Sequence, residues 1–246
     1  MFYLSFDCAN KSLGVSYFQY DLNSSVSLIK LCNNYYDMLN IEYDVNSSIL
    51  NNIKRLKLKL KTKELISKYI KFLIELNKLL DSVIDIRYLD VINLLNDRKT
   101  KNVNIIDRSV CLKTKLLYVD SLLNISNQTT VVIEYQMNCN DKSRTIYNQL
   151  IYHYSCINKF IVKVIAPAFK NKIYFSEELK HNKFLQIYRS NYIANKKHTS
   201  ANFIYFMNVF DKSELISHIK KKNIDDISDS FIQALYIVKQ SLINNT

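Results

Sequence analysis

The chain predicts an α/β domain: a mixed sheet whose first three strands are antiparallel, with helices packed on both faces. Three observations predict it. Short apolar runs separated by polar turns open the chain, two buried-type strand runs come much later, and helical spacing fills the intervals between and after them. Strands grouped at the start and then alternating with helices give a layered domain of sheet and helix.

Taken in order, Phe2 to Ala9 reads as a buried strand, Asn10-Lys11-Ser12 as a turn, and Leu13 to Tyr20 as a second strand. Asp21 to Ser25 makes a turn before a third strand at Val26 to Leu31, completing an antiparallel meander. The run from Arg55 to Lys61 alternates with period two, which fits either a half-buried strand or the basic start of a helix. Ile66, Ile70, Leu73, Leu76 and Leu80 then follow helical spacing, and Leu94 to Asn104 reads as loop. The Lys-rich, partly helical stretch from about 46 to 100 is the one candidate insertion in a single domain spanning 1–246. Leu112, Leu116, Val119 and Leu123 mark a helix, and Thr129 to Glu134 a short β-branched strand. Lys142 to Asn158 reads as a helix with Ile146, Leu150 and Tyr154 on one face, and Phe160 to Ala166 as a strand ended by Pro167. The pattern is helical from Glu177 onward. The last helix runs from about Asp225 to Leu242, with Asn223 as its N-cap and Ile227, Phe231, Leu235, Val238 and Leu242 on its apolar face.

Composition narrows the function. The chain has 246 residues, 48% of them hydrophobic, enough to bury a core without staples. A formal charge of +12 favours a polyanionic partner, nucleic acid or an acidic membrane surface. Glycine and proline occur once each, at Gly14 and Pro167, while Asn, Ile, Lys and Tyr abound. That is the composition of an AT-rich coding sequence, as in many large DNA viruses. Turns must then be built from Asn, Asp and Ser, with Asn33-Asn34, Asn51-Asn52 and Asn138 to Asp141 as expected examples. A single glycine argues against ATPases of the actin or sugar-kinase type, whose phosphate loops need several. Cys8, Cys32, Cys111, Cys139 and Cys156 form no C-x-x-C pair and none sits near a histidine at zinc-finger spacing. Such a scattered, odd set suits a reducing compartment. Met1 to Lys11 is broken by Asp7 and does not read as a signal peptide, and no apolar run approaches the ~20 residues of a membrane helix. The expectation is an intracellular protein without a membrane partner.

The chemistry is carried by acids. Asp7 sits inside the first strand, Glu134 ends the strand after Ile133, and Asp226 and Asp229 lie three apart at the start of the last helix, sharing one face. Singly, each has a simpler role: bonding a turn, facing solvent, or complementing a helix dipole. Gathered at one point they make an oxygen cage for hard cations such as Mg²⁺, and two such ions can drive phosphodiester hydrolysis.

Here a family resemblance enters. Phe6-Asp7-Cys8-Ala9-Asn10-Lys11 resembles the opening strand motif of the poxvirus and giant-virus Holliday junction resolvases, in the RuvC-like branch of the RNase H superfamily. Val132-Ile133-Glu134-Tyr135-Gln136-Met137 resembles their I-E-x-Q strand, and Lys221 to Ser230 their closing K-K-x-D-D-x-x-D helix. Asn195-Lys196-Lys197 resembles a basic motif that precedes that helix. The resemblance runs the length of the chain apart from the Lys-rich stretch. The family's first motif carries glycine one or two places after the aspartate, where Cys8 and Ala9 stand here. The resemblance implies a three-layer RNase H-like fold with Asp7, Glu134, Asp226 and Asp229 as catalytic metal ligands, Asp225 competing with Asp226. It also implies Mg²⁺, with Mn²⁺ as the expected substitute, and a homodimer that nicks four-way DNA junctions symmetrically.

Basic side chains complete the picture. Lys54, Arg55, Lys57, Lys59, Lys61 and Lys63 form a run without an acid, either a solvated face or a phosphate-binding arm. Lys196 and Lys197 lie upstream of the acidic helix, Lys220, Lys221 and Lys222 immediately precede it, and Arg144 follows Glu134; all are candidates to hold phosphates beside the metals. Some of the 18 tyrosines could stack on unpaired bases, and the four histidines form no metal-spaced pair. Two other readings stay open: another RNase H-like nuclease, of RNase H or transposase type, and a non-catalytic module that binds branched nucleic acid.

Overall fold

Short runs buried on both faces build the centre of the sheet. Five strands form it: β1 (Phe2–Cys8), β2 (Ser12–Tyr20), β3 (Ile84–Asn93), β4 (Thr129–Glu134) and β5 (Ile161–Ile165). Their order is β3-β2-β1-β4-β5, with β3, β2 and β1 antiparallel and β1, β4 and β5 parallel. The computed structural model describes residues 1–9, 11–20, 25–39, 44, 47, 51–53, 55, 62–95, 103–126, 128–136, 141–158, 160–167 and 192–244. Most of the Arg55 to Lys61 alternation, the chain from Glu177 to Asn191, and Asn138 to Asn140 lie outside them.

The described helices are α1 (Ser25–Met38), α2 (Lys63–Ser82), α3 (Ile105–Leu123), α4 (Asp141–Ile151), α5 (Tyr192–Val209) and α6 (Ile224–Asn244). A π-helical segment, Tyr152–Ile157, continues α4, and a 3₁₀ turn at Lys221–Asn223 leads into α6. Among the described residues, no helix is long and apolar enough to cross a membrane.

One strand falls elsewhere than expected. Val26 to Leu31 lies in α1, and the third antiparallel strand is β3, inside the span read as an insertion. A short apolar run cannot be told from a helix segment by its own periodicity. The signal lies beyond the run: Leu28, Cys32, Tyr35 and Tyr36 are all buried, at helical spacing. Asn33 and Asn34 therefore sit within α1 rather than in a turn. Asn51 and Asn52 also lie in a helical turn, where buried Asn52 donates to Asp44 O and Ser47 O. Short polar residues do take left-handed positions elsewhere, at Asn124 (φ 45°), which ends α3, and at Asp211 (φ 51°).

Strand alternation sends side chains into two cores. On one face Tyr3, Phe18, Tyr20 and Val132 meet Leu28 of α1, Phe72 and Leu76 of α2, Phe203 and Phe206 of α5, and Phe231 and Leu235 of α6. On the other, Leu4, Phe6, Val15 and Ile133 meet Leu112 and Leu116 of α3 and Ile146 and Leu150 of α4. Helices thus cover both faces, giving three layers, as expected.

An ion pair is sealed within the first core. Lys239 Nζ of α6 lies 2.6 Å from Asp81 Oδ1 of α2 and 5.0 Å from the Phe206 ring centroid. Burial pulls the Lys239 ammonium down and pushes the Asp81 carboxyl up, while each partner's charge opposes the shift. Removing one partner strands a buried charge, so Lys239→Ala should cost about 3–5 kcal/mol in urea unfolding. The double change Asp81→Leu/Lys239→Met should recover most of that stability; a double variant as weak as the single one would show that the pair itself is stabilising.

Candidate metal centre and nucleic-acid interface

The site begins at the only glycine. Gly14 of β2 pairs with Asp7 of β1, and a Cβ built on it would stand 2.1 Å from the Asp226 backbone oxygen. No side chain fits there, and the obstacle is backbone, which cannot swing aside. The first turn of α6 therefore lies directly on β2. Polar contacts fix its rotation. Ser12 Oγ donates to Asp226 Oδ2, Ser16 Oγ meets Ser230 Oγ at 2.8 Å, and Gln233 Nε2 donates to Phe6 O at 2.9 Å. Asp226, Ser230 and Gln233 are spaced four and three apart, one stripe of the helix.

That stripe sets the acids. Asp7 shares its side of β1 with Tyr3, the side that α6 covers. Phe6 pairs with Ile133 in parallel register, so the next residues, Asp7 and Glu134, leave the sheet together at the carboxyl ends of two neighbouring strands. Glu134 shares its side with Val132, again the α6 side. Asp7, Glu134 and Asp229 are all buried, at 7%, 6% and 9% exposure, unusual for carboxylates. Burial pushes the Asp226 carboxyl above its ordinary range; the Ser12 hydroxyl and Lys196 pull it back, and the charges of Asp7 and Asp225 push it further up. Asp225 turns elsewhere: it is exposed and accepts from Ser200 Oγ of α5 at 2.8 Å.

Asp7 and Asp226 are thus brought within electrostatic reach of each other, with Glu134 and Asp229 on the same side. Among the described residues, no three His, Cys, Asp or Glu side chains close into a metal cage. The donors suit a hard cation: all are carboxylate oxygens, and a cation would offset the repulsion that raises Asp226. Of the basic candidates, half-buried Lys196 acts on Asp226 directly. Lys197, Lys220 and Lys221 are exposed nearby in sequence, and Arg144 is exposed in the first turns of α4, which packs on the other face. Arg55 pairs with Asp44 at 3.2 Å, and Lys63 is exposed at the start of α2. Lys54, Lys57, Lys59 and Lys61, and the Lys222 side chain, lie outside the described residues.

Sequence reading passed over two site residues. Ser12 carries no motif signal of its own. Gly14 does: a lone glycine inside a strand marks close approach of another backbone. Gly14→Ala should destabilise the fold by about 1–3 kcal/mol, as overpacking does, because α6 must lift from β2. An unchanged melting temperature would show that the helix can shift freely.

No protein-family model matches the chain, and no curated protein matches it. Among solved structures it is similar to the fowlpox virus resolvase in complex with Holliday junction DNA, at 15% identity and TM-score 0.51 over 98% of each chain. Two Thermus thermophilus RuvC structures also match, at 9% and 7% identity and TM-scores of 0.48 and 0.49, each over 98% of this chain and 95% of theirs. One of the two is in complex with a Holliday junction substrate. The chain has an RNase H-like fold.

Proposed function

We propose that this protein is a divalent-metal-dependent endonuclease that cleaves four-way DNA junctions as a homodimer, serving recombination or replication of viral DNA. The observation that carries the reading is the meeting of Asp7 and Asp226 across Gly14, with Glu134 and Asp229 buried on the same side of the sheet. The fold likeness to a resolvase solved with its junction supports the choice of substrate. The formal charge of +12 supports a polyanion.

In this reading Asp7, Glu134, Asp226 and Asp229 hold Mg²⁺, or Mn²⁺ in its place. Bound there, the metal supplies a Lewis acid for the phosphoryl oxygen and an activated water. The chain's own groups do the rest. Ser12 fixes one oxygen of Asp226 and leaves the other for ligation. Lys196 adds positive charge beside that carboxylate. Lys197, Lys220 and Lys221 hold the sugar–phosphate backbone without reading bases, as shape recognition of a branch requires. Two-fold symmetry of the junction calls for two such sites related by one axis.

The test compares four-way, three-way and linear duplex DNA with and without Mg²⁺; cleavage confined to branched DNA and abolished by chelation is the expected result. Asp7→Asn and Glu134→Gln should each lower the cleavage rate roughly a thousandfold or more while junction binding persists. Asp225→Asn should be milder than Asp226→Asn, because Asp225 faces Ser200. Near-normal cleavage by the Asp7 or Glu134 variant counts decisively against the site. Binding should fall by about 10³- to 10⁵-fold between roughly 50 and 200 mM salt, as six to ten phosphate contacts imply. A flat salt response in a filter-binding titration would remove phosphate contacts as the basis of affinity.

A further inference from the structure

A seam of polar side chains lies between α6 and the sheet, directly beneath the carboxylates. Ser5 of β1, Ser16 of β2, and Ser230 and Gln233 of α6 are all 0% exposed. Hydroxyls and amides at this depth are costly unless each is hydrogen-bonded. Strand register sets their places. Ser5 stands directly opposite Ser16. It also lies two residues before Asp7, so both point to the side that α6 covers. From α6, Ser230 reaches Ser16, and Gln233 reaches the carbonyl of Phe6, the residue between Ser5 and Asp7.

Counting protons defines what the seam can receive. Ser230 Oγ donates to Ile227 O at 3.1 Å, so its one proton is used. The 2.8 Å contact between Ser230 and Ser16 is therefore made by the Ser16 proton, and Ser16 Oγ keeps its lone pairs for a donor. Gln233 turns its amide nitrogen to Phe6 O at 2.9 Å, since a carbonyl only accepts. Its Oε1 faces away, and neither that atom nor Ser5 Oγ has a hydrogen-bond partner among the described residues. A ligand shared by the two must accept from Ser5 and donate to Gln233. A cation cannot take the Ser5 proton, and an anion has no proton for Gln233. Water does both, and its second proton suits Ser16 Oγ. That makes three hydrogen bonds, about the usual complement of a buried water.

We propose that Ser5, Ser16 and Gln233 bind one water molecule between β1, β2 and α6, and that through it Gln233 acts as a positioning residue for Asp7. With Oε1 engaged, the Gln233 amide cannot turn over, and Nε2 stays on Phe6 O. That carbonyl belongs to the peptide bond that leads into Asp7, so the grip sets the plane from which the Asp7 carboxylate leaves the strand. Gln233 stands about one turn beyond Asp229 and two beyond Asp226 on α6. The same contact therefore fixes the acid of β1 relative to the two acids of α6. Outer partners of this kind shift metal affinity by about 10- to 100-fold without touching the ion. The positioning role rests on the metal-site reading; the water site does not.

A crystal structure of the metal-free wild-type chain, at a resolution that shows ordered water, should hold one water about 2.7–3.2 Å from Ser5 Oγ, Ser16 Oγ and Gln233 Oε1. It should be gone from Gln233→Met, which keeps the side chain's length and loses both polar ends. In calorimetric titration, Ser5→Ala and Gln233→Met should bind Mn²⁺ roughly 10- to 100-fold more weakly at unchanged circular dichroism, and Ser5→Thr should restore the affinity. Amide exchange of Asp7 in metal-free protein reads the peptide independently of the ion, and it should quicken in the same two variants. Ser5 and Gln233 bonded directly to each other, with no water between them, would overturn the site. A water in place, with Mn²⁺ affinity and Asp7 exchange unchanged in both variants, would overturn the positioning role. A wild type that holds the water, and whose Asp7 exchange responds as expected, yet binds no Mn²⁺, removes the metal centre and leaves this inference standing.

Discussion

The last helix lies closer to the sheet than any side chain would allow, and the rest of the architecture follows from that approach. A helix normally stands off a sheet by the thickness of two side-chain layers. At Gly14 one layer is missing, so the Asp226 carbonyl rests on β2 itself. Ser12, Ser16 and the Phe6 carbonyl then engage Asp226, Ser230 and Gln233. Hydrophobic contact alone would let a helix roll or slide by a few ångström. Hydrogen bonds at three points along its length do not, because each unmade bond would leave a buried polar group without a partner. With α6 so pinned, Phe231 presents its ring to Phe18, Phe203 and Phe206, which seats α5, and Lys239 reaches Asp81, which seats α2.

The sheet separates two kinds of surface. Acids collect on the side of α6, at the carboxyl ends of β1 and β4, while the α3 and α4 layer carries apolar groups to solvent. Holding carboxylates close together and out of water is unfavourable, as the elevated Asp226 shows. A fold keeps such an arrangement when the surroundings over-determine it. Here a hydroxyl, a lysine and a helix fixed by its own buried bonds do so.

Much of this was legible in the sequence, because where local pattern and tertiary role agree the residues say so. β1, β2 and β4 have the apolar or β-branched density of buried strands, and α6 has the apolar spacing of a packed helix; β5 has the same density, yet it lies at the sheet edge with Ile161 and Val164 exposed, so it was read as buried and is not. Asp7, Glu134 and Asp226 stood out because acids interrupt those patterns. The failures have physical causes. Val26 to Leu31 is apolar enough for a strand, yet its burial is decided by Cys32, Tyr35 and Tyr36 further on. β3 was hidden inside a Lys-rich span because Arg87, Asp85 and Asp90 face outward on a sheet edge, masking the inward Ile84, Ile86 and Leu89. A lone glycine inside a strand signals the close approach of another backbone, but not which one, so the role of Gly14 became specific only with α6 in place.

The atom that Gly14 lacks bears on how such a chain can change. A turn that needs a left-handed residue can run on Asn or Asp, as at Asn124 and Asp211, because a short polar side chain tolerates that conformation. Position 14 has no such substitute. What it requires is empty space, and every other residue type brings a Cβ into the Asp226 carbonyl. Position 14 can therefore change only together with the helix that carries the acids.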